Sequence, residues 1–218
     1  MDKSIKYIIS PEISEFRRFS PKLKIGVLAS GKGTNFQELI NLSENGELDI
    51  DIKVLITNKD DAGCIKRAES VEIPHKIIRG KDFSKKELFE LEIINTLVNY
   101  DVELIVMAGW MKIVSPFFIN KFKNKIINIH PSLLPAYKGG NAIKDSILNG
   151  SKITGCSVHF VEEEVDSGSL IMQAALSIRD DDDVESLSNR IQMLEHKILP
   201  HSISHAGFLI RKNFMENY

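Results

Sequence analysis

The sequence has few of the features that mark secreted, metal-binding or membrane-spanning proteins. Its 218 residues include two cysteines, Cys64 and Cys156, which lie far apart and form no CxxC pair. This spacing argues against a disulfide framework or a thiolate metal site and is typical of a reducing compartment. No apolar run reaches the length of about 18 residues that spans a bilayer, and Met1–Ser20 lacks the apolar core of a signal peptide. We therefore expect a cytoplasmic protein with no membrane partner and no metal.

The chain also lacks a strong charge of either sign. Its formal net charge is −2 and its isoelectric point is near 6.3, which gives no global attraction for nucleic acid. With 43% hydrophobic and 27% charged residues, the composition is that of a globular protein with a full core. We expect one domain over residues 22–218, preceded by an extension of residues 1–21 with a short helix near Pro11–Phe19.

What the sequence does contain is a regular alternation of apolar strands and amphipathic helices. The predicted strands are Lys22–Ser30, Ile50–Thr57, His75–Ile78, Glu103–Ala108 and Lys125–His130. The predicted helices between them run from Thr34 to Gly46 and over Asp61–Ser70, Ser84–Tyr100 and Pro116–Phe122. This rhythm predicts an α/β fold with a mostly parallel, doubly wound sheet. Ligands of such sheets bind beyond the carboxyl ends of the strands.

Two of these helices have sequence features that predict how they begin and which face is buried. The Ser/Thr-x-x-Glu/Gln spacing at Thr34 and Ser84 predicts a capping box at the start of each. For the helix that begins near Ser84, the predicted buried stripe is Leu88, Leu91, Ile94 and Val98.

The last third of the chain has a different pattern. Residues of Ile153–Val161 alternate between apolar and polar, and a second strand follows through Ile178 after an acidic turn. Two strands joined in this way predict an antiparallel addition to the parallel sheet. A helix at Ile143–Asn149 precedes them. A long C-terminal helix begins after Asp180–Asp183, with an apolar stripe at Val184, Leu187, Ile191, Leu194 and Ile198.

A glycine loop (Gly31–Asn35) joins the first buried strand to its helix. A strand, a glycine turn and a helix N-terminus together present backbone N–H groups to an anion. The third glycine of a dinucleotide fingerprint is replaced by Phe36, and no P-loop sequence is present. The loop therefore suits a single phosphate, although a glycine that serves only the turn is the simpler alternative.

The pair Asn128 and His130 ends the fifth predicted strand. Residues two apart in a strand point to the same face, and Pro131 stops the strand immediately afterwards. An amide and an imidazole on one edge can both donate to a single oxygen, as an acyl-transfer oxyanion requires. Considered alone, the pair is equally compatible with an ordinary strand that has a polar end.

Five stretches occur in an order that is found in one known family. They are SGKGTN at Ser30–Asn35, AGWMKIVSP at Ala108–Pro116, NIHPSLLPAY at Asn128–Tyr137, GCSVHFVEEEVDSG at Gly155–Gly168 and LEH at Leu194–His196. In these stretches the chain resembles the folate-dependent phosphoribosylglycinamide formyltransferase family. The resemblance implies a Rossmann-like formyltransferase fold and transfer of a formyl group from 10-formyltetrahydrofolate to glycinamide ribonucleotide.

The resemblance also implies the residues that bind the acceptor nucleotide. Gly33, Thr34 and Asn35 would hold its 5′-phosphate, with Pro131 nearby, and Glu195 would bind the ribose hydroxyls. The implied partners are these small molecules, in a monomer or homodimer.

For the formyl donor, the resemblance implies a folate pocket. Its residues would be Met111, Lys112, Ile113, Val114, Val161, Glu164 and Val165. Asn128, His130 and Asp166 correspond to the family's catalytic residues. A carboxylate at Asp166 would orient the His130 imidazole, favour its protonated form and pass the amine proton to the leaving folate through a water.

One segment departs from the family pattern. Lys138, Gly139, Gly140 and Asn141 follow Tyr137 where a proline, a glycine, an apolar residue and a histidine are usual. Here the segment is similar to the corresponding one in methionyl-tRNA formyltransferase and 10-formyltetrahydrofolate hydrolase. Both normally carry a further domain, which we do not expect in this chain. A hydrolase, a formyltransferase that acts on an amino sugar or methionyl-tRNA, and a catalytically silent nucleotide-phosphate-binding module remain the alternative readings.

Overall fold

The alternating apolar segments form one mixed β-sheet, which a computed structural model describes within residues 6–216. Its strands are β1 (Tyr7–Ser10), β2 (Leu23–Leu28), β3 (Ile50–Thr57), β4 (His75–Ile77), β5 (Leu104–Met107), β6 (Ile126–His130), β7 (Ile153–Phe160) and β8 (Leu170–Ser177). The spatial order is β1-β8-β7-β6-β5-β2-β3-β4. The strands from β6 to β4 pair in parallel, and β7, β8 and β1 are added antiparallel. The predicted parallel sheet with an antiparallel addition is confirmed.

Helices cover both faces of the sheet. They are α1 (Thr34–Glu44), α2 (Gly63–Glu69), α3 (Lys86–Asn99), α4 (Pro116–Lys121), α5 (Ala142–Leu148) and α6 (Val184–Glu216), and Gly80–Asp82 forms a 3-10 turn. On one face α1, α2 and α6 enclose a core that includes Phe36, Ala68 and Ile198. On the other face α3 and α4 enclose a second core around Ile93 and Phe118. The doubly wound arrangement and the long C-terminal helix are therefore as predicted.

The carboxyl ends of β2, β5 and β6 lie along one edge of the sheet because these strands are parallel neighbours. The loops that follow β2 and β5 are joined directly. Ser30 N–H donates to Gly109 O at 3.0 Å, and Met111 N–H donates to Ser30 Oγ at 3.1 Å. The glycine loop, the loop after β5 and the Asn128–His130 pair therefore share this edge.

The predicted buried stripe of α3 is wrong by about one position. The helix buries Phe89, Ile93 and Leu97 with Ile94, while Leu88, Leu91 and Val98 are 46%, 40% and 52% exposed. Apolar residues occur on both sides of this helix, so periodicity alone does not select a face. The contact with the sheet selects it.

Neither predicted capping box is formed. Gly33 is the N-cap of α1 and Lys85 is the N-cap of α3, and neither makes a side-chain cap hydrogen bond. A capping box needs the serine or threonine at the N-cap itself. Thr34 lies one position inside α1, and Ser84 lies one position before the N-cap of α3. The first helix is therefore uncapped by side chains, which matters for the anion site described below.

The extension ahead of β2 is ordered on the fold rather than helical. Its residues 1–5 lie outside the described part of the chain, and no helix forms over Pro11–Phe19. Instead β1 pairs with β8, Arg17 N–H donates to Ser204 Oγ at 2.8 Å, and Phe16 stacks on His201. This segment therefore contacts β8 and α6 in an extended conformation instead of forming a helix. Among residues 6–216, no helix combines the length and apolar character needed to cross a membrane.

Candidate active site

Three predicted site residues from two distant segments meet at the carboxyl-end edge of the sheet. His130 Nδ1 lies 3.4 Å from Asp166 Oδ2, and both side chains are at least nine-tenths buried. Asn128, two residues earlier on β6, reaches the same carboxylate through His159, since Asn128 Nδ2 lies 3.3 Å from His159 Nε2. His159 Nε2 in turn lies 3.6 Å from Asp166 Oδ1. We call these four residues the acid–imidazole cluster.

His159 is the member that the sequence did not single out as functional. It pairs with Asn128 across the antiparallel β6–β7 register, and its Nδ1–H donates to Phe160 O at 2.8 Å. That bond leaves Nε2 between Asn128 and Asp166. A neutral ring accepts the Asn128 amide N–H there, and a protonated ring donates to Asp166. The register that places His159 opposite Asn128 would have identified it, but alternation within one strand does not supply that register.

The Asp166 carboxylate is held in its charged form. Burial raises its pKa, but hydrogen bonds from His159 and from Gly139 N–H, together with the charge of His130, outweigh burial and set the pKa below the ordinary value of 3.8. Asp166 has a φ of 51°, in the left-handed region that few residues other than glycine adopt. Such a conformation persists where surrounding contacts over-determine it, and it is common at functional sites.

Tyr137 and the segment after it, which departs from the family pattern, contact this cluster through their backbone. His130 Nε2–H donates to Tyr137 O at 2.8 Å, and Gly139 N–H donates to Asp166 Oδ2 at 2.8 Å. Both ring nitrogens of His130 therefore face oxygen acceptors, an arrangement that the protonated imidazolium satisfies fully. Lys138 Nζ lies 2.7 Å from the exposed Glu164 carboxylate.

The glycine loop forms an anion cradle at the start of α1. Gly33 has a φ of 71°, and within residues 6–216 the backbone N–H groups of Gly33, Thr34 and Asn35 donate to no protein oxygen. A left-handed residue next to a helix N-terminus turns successive N–H groups into one concavity, which binds anions. β5 lies between β2 and β6, so the strand that leads into this cradle and the strand that carries Asn128 and His130 are two strand spacings, about 10 Å, apart.

Asn35 and Glu195 connect the cradle to α6. Asn35 is 8% exposed, and its Nδ2–H donates to Glu195 Oε2 at 2.8 Å. Its buried Oδ1 has no hydrogen-bond partner within the described residues. Burial raises the pKa of the Glu195 carboxyl above 4.5, and the Asn35 hydrogen bond offsets only part of that increase. An orphaned amide oxygen and a carboxylate at one point are suited to hydroxyl donors of a ligand.

The residues implied for the folate pocket divide into two groups. Met111, Ile113 and Val165 are 72%, 65% and 40% exposed, and Val165 directly precedes Asp166. We call these three exposed apolar side chains the rim. Val114 and Val161 pack against the second core. The two charged members, Lys112 and Glu164, are exposed, and Pro131 is half-buried directly after β6.

Trp110, within the Ala108–Pro116 stretch, belongs to the core. It is 7% exposed and stacks on Phe89 with ring centroids 6.5 Å apart. In the described residues, no group of three or more histidine, cysteine, aspartate or glutamate side chains is arranged to hold a metal ion.

Comparison with known proteins identifies one family over most of the chain. The family model described as "Formyl transferase" matches residues 23–203. The trifunctional purine biosynthetic protein adenosine-3 of Chironomus tentans is 42% identical over 185 residues, which make up 84% of this chain and 14% of that protein. This chain thus spans less than a fifth of the length of the curated relatives it matches.

Solved structures agree over nearly their whole length. Phosphoribosylglycinamide formyltransferase from Bacillus halodurans is 36% identical with a TM-score of 0.81, and the match covers 84% of this chain and 94% of that one. Glycinamide ribonucleotide transformylase 1 from Symbiobacterium toebii is 35% identical with a TM-score of 0.83, and the match covers 89% and 91%. The chain belongs to the formyl transferase family.

Proposed function

We propose that the protein transfers the formyl group of 10-formyltetrahydrofolate to the amine of glycinamide ribonucleotide. The observation that carries this proposal is the convergence of Asn128, His130 and Asp166 at the same sheet edge as the cradle of Gly33. The matched solved structures bear the names of enzymes of this activity. The predicted small-molecule partners follow from it, and a monomer or a homodimer stays a prediction.

The acceptor binds along the edge from the cradle to the cluster. The N–H groups of Gly33, Thr34 and Asn35 hold the 5′-phosphate, and Glu195 accepts hydrogen bonds from the ribose hydroxyls. The two strands that lead to the cradle and to the cluster are about 10 Å apart, which suits a ligand whose amine and phosphate lie at opposite ends of a ribose. Pro131 adjoins the amine end because it follows His130 directly.

The folate donor occupies the open rim. Met111, Ile113 and Val165 expose apolar surface that a flat, partly apolar pterin would cover, and solvent-exposed apolar patches of this kind mark ligand sites. Val114 and Val161 support the rim from the second core. Lys112 and Glu164 lie at its solvent side, with Glu164 joined to Lys138.

In the reaction, the amine nitrogen attacks the formyl carbon and negative charge develops on the formyl oxygen. The amide N–H of Asn128 and the N–H of a protonated His130 stabilise that charge, and removal of one such donor typically costs about 2.7–4 kcal/mol. His130 Nε2–H donates to Tyr137 O in this structure, so the formyl oxygen must take the place of that carbonyl. The bond between formyl carbon and folate nitrogen then breaks.

Asp166 orients His130 and carries the proton. The amine proton passes through a water to the departing folate nitrogen with the carboxylate as relay, which yields the formylated nucleotide and tetrahydrofolate. The lowered pKa of Asp166 supports the charged form that this role needs.

The test is incubation with 10-formyltetrahydrofolate in the presence and absence of glycinamide ribonucleotide. Consumption of the donor with formation of the formylated nucleotide, strictly dependent on the acceptor, is the expected result. Donor consumption at the same rate without the acceptor would instead identify a hydrolase. No consumption in either case would leave a nucleotide-phosphate-binding module.

A further inference from the structure

The glycine loop is fixed from behind by α2. Cys64 N–H donates to Gly31 O at 3.2 Å, and Arg67 Nε–H donates to Lys32 O at 2.8 Å. The start of α2 lies close to the loop, since a Cβ built on Gly33 would lie 2.6 Å from Cys64 Cβ. Two consecutive carbonyl groups of the loop therefore point toward α2.

The direction of these carbonyls sets the direction of the N–H groups that follow. In a trans peptide the C=O and the N–H point to opposite sides. Because Gly31 O and Lys32 O point toward α2, the N–H groups of Lys32 and Gly33 point away from it. They join those of Thr34 and Asn35 at the start of α1, which has no side-chain cap.

Arg67 stabilises this loop conformation through two nitrogens of its guanidinium group. While Nε–H donates to Lys32 O, an Nη1–H donates to Gln37 Oε1 at 2.9 Å on the first turn of α1. One rigid, planar cation thereby joins the loop, α1 and α2. Its fixed positive charge next to the cradle also attracts a phosphate dianion.

We propose that Arg67 is a positioning residue for the acceptor's phosphate: it holds the Lys32 carbonyl so that the Gly33 N–H faces the anion. This inference rests on the proposed function for the identity of the phosphate compound. It adds a side chain from α2 to a cradle whose other parts are backbone groups. It acts on phosphate affinity and leaves the acid–imidazole cluster unchanged.

The test compares Arg67→Met and Arg67→Lys with Lys66→Met, which removes an exposed charge from the same helix. Inorganic phosphate binding is measured by calorimetry, and KM values for nucleotide and folate are measured with kcat. In Arg67→Met we expect the phosphate Kd and the nucleotide KM to rise about tenfold, as for loss of one charge-assisted hydrogen bond. The folate KM and kcat should stay within about twofold, which separates ground-state positioning from catalysis.

The two other variants complete the comparison. Arg67→Lys keeps the charge but loses the rigid fork, so its phosphate Kd should lie between those of wild type and Arg67→Met. Lys66→Met should bind phosphate as wild type does. Equal losses in Lys66→Met and Arg67→Met, or phosphate affinity unchanged in Arg67→Met, would overturn the inference. An equal fall in kcat and rise in both KM values would do the same, since it would indicate general damage.

The outcome is separable from that of the proposed function. Phosphate binding that depends on Arg67 in a protein without formyl transfer would refute the proposed reaction and retain the role of Arg67. Formyl transfer with phosphate affinity independent of Arg67 would do the reverse.

Discussion

The two halves of the candidate site consist of different chemical groups, backbone amides in one and side chains in the other. The glycine loop presents backbone N–H groups, and its shape depends on the left-handed Gly33 and on neighbours that hold its carbonyls. The acid–imidazole cluster consists of side chains from β6, β7 and the loop before β8. A backbone site tolerates changes of side chain but not of local geometry, whereas a side-chain site tolerates neither loss nor replacement of its groups. Variants of the first should alter acceptor binding, and variants of the second should alter turnover.

The largest expected effect is in the cluster. Asp166→Asn keeps the side chain's size and its acceptor for Gly139 N–H, but it removes the charge that faces His130 and His159. We expect kcat to fall about 1,000-fold, within the range for loss of a positioned acid–base group, with both KM values changed by less than about threefold. Steady-state kinetics measure this. The control is Glu163→Gln, which changes an exposed carboxylate on the same loop outside the proposed site. Near-wild-type turnover in Asp166→Asn would remove Asp166 from the mechanism.

The matching change in the glycine loop is Gly33→Ala. A side chain at a φ of 71° costs about 1–2 kcal/mol, and here the new Cβ would also meet Cys64 Cβ at 2.6 Å. We expect lower thermal stability and a raised KM for the nucleotide, while kcat at saturation changes far less than in Asp166→Asn.

Gly31→Ala provides the control, because a Cβ there has nothing within 4 Å. Its free energy of unfolding should stay within about 0.5 kcal/mol of wild type. If both alanine variants bind the nucleotide equally well, the cradle does not depend on the geometry of Gly33.

A third change separates stability from binding at the junction of the cradle with α6. Burial raises the pKa of Glu195, so the folded state holds that proton more tightly than the unfolded state does. The stability contributed by this group is present below the unfolded pKa and is lost as pH rises through the higher folded pKa. Glu195→Gln removes this loss. Its stability relative to wild type should increase as pH rises from about 4.3 through the folded pKa and level off above it.

Urea unfolding of wild type and Glu195→Gln at a series of pH values measures this difference in stability. The nucleotide KM of Glu195→Gln measures the loss of the carboxylate's hydrogen bonds to the ribose. A stability difference that is constant from acid to neutral pH would contradict the raised pKa.

The smallest effect is expected at the segment that departs from the family pattern. Lys138→Met removes an ion pair with the exposed Glu164, which is worth less than about 1 kcal/mol. The contacts with His130 and Asp166 on either side of Lys138 are made by the backbone of Tyr137 and Gly139, so they remain. Turnover should stay within about threefold of wild type. A loss as large as that of Asp166→Asn would show that the Lys138 side chain itself takes part in the reaction.

The parts of the fold that depend on local pattern could be predicted from sequence. The range of β3 was predicted to the residue, and the shared edge of the site follows from the parallel rhythm of strands and helices. Features that depend on tertiary contact could not be predicted. The face of α3 was wrong because apolar residues occur on both its sides, and β1 was missed because its pairing with β8 links residues more than 150 positions apart.

The candidate site shows the same division. Asn128 and His130 could be placed together because a strand alternates, and their meeting with Asp166 could be expected only from the family resemblance. The contacts of His159 with Asn128 and Asp166, and those of Arg67 with the glycine loop, could not be predicted. They depend on the β6–β7 register and on the packing of α2 against that loop. No local pattern encodes either contact. The roles assigned to the folate-rim residues, including Met111, stay predictions.

The strand β1 also has a consequence for how the molecule meets its surroundings. It covers Gln173–Leu176 of β8, so the sheet terminates in a strand of four residues instead of one of eight. Bare backbone donors and acceptors along a long terminal strand are a template on which another chain can pair. A protein shortened past Ser10 would expose that template and so acquire a route to self-association, even with every residue of its chemistry intact.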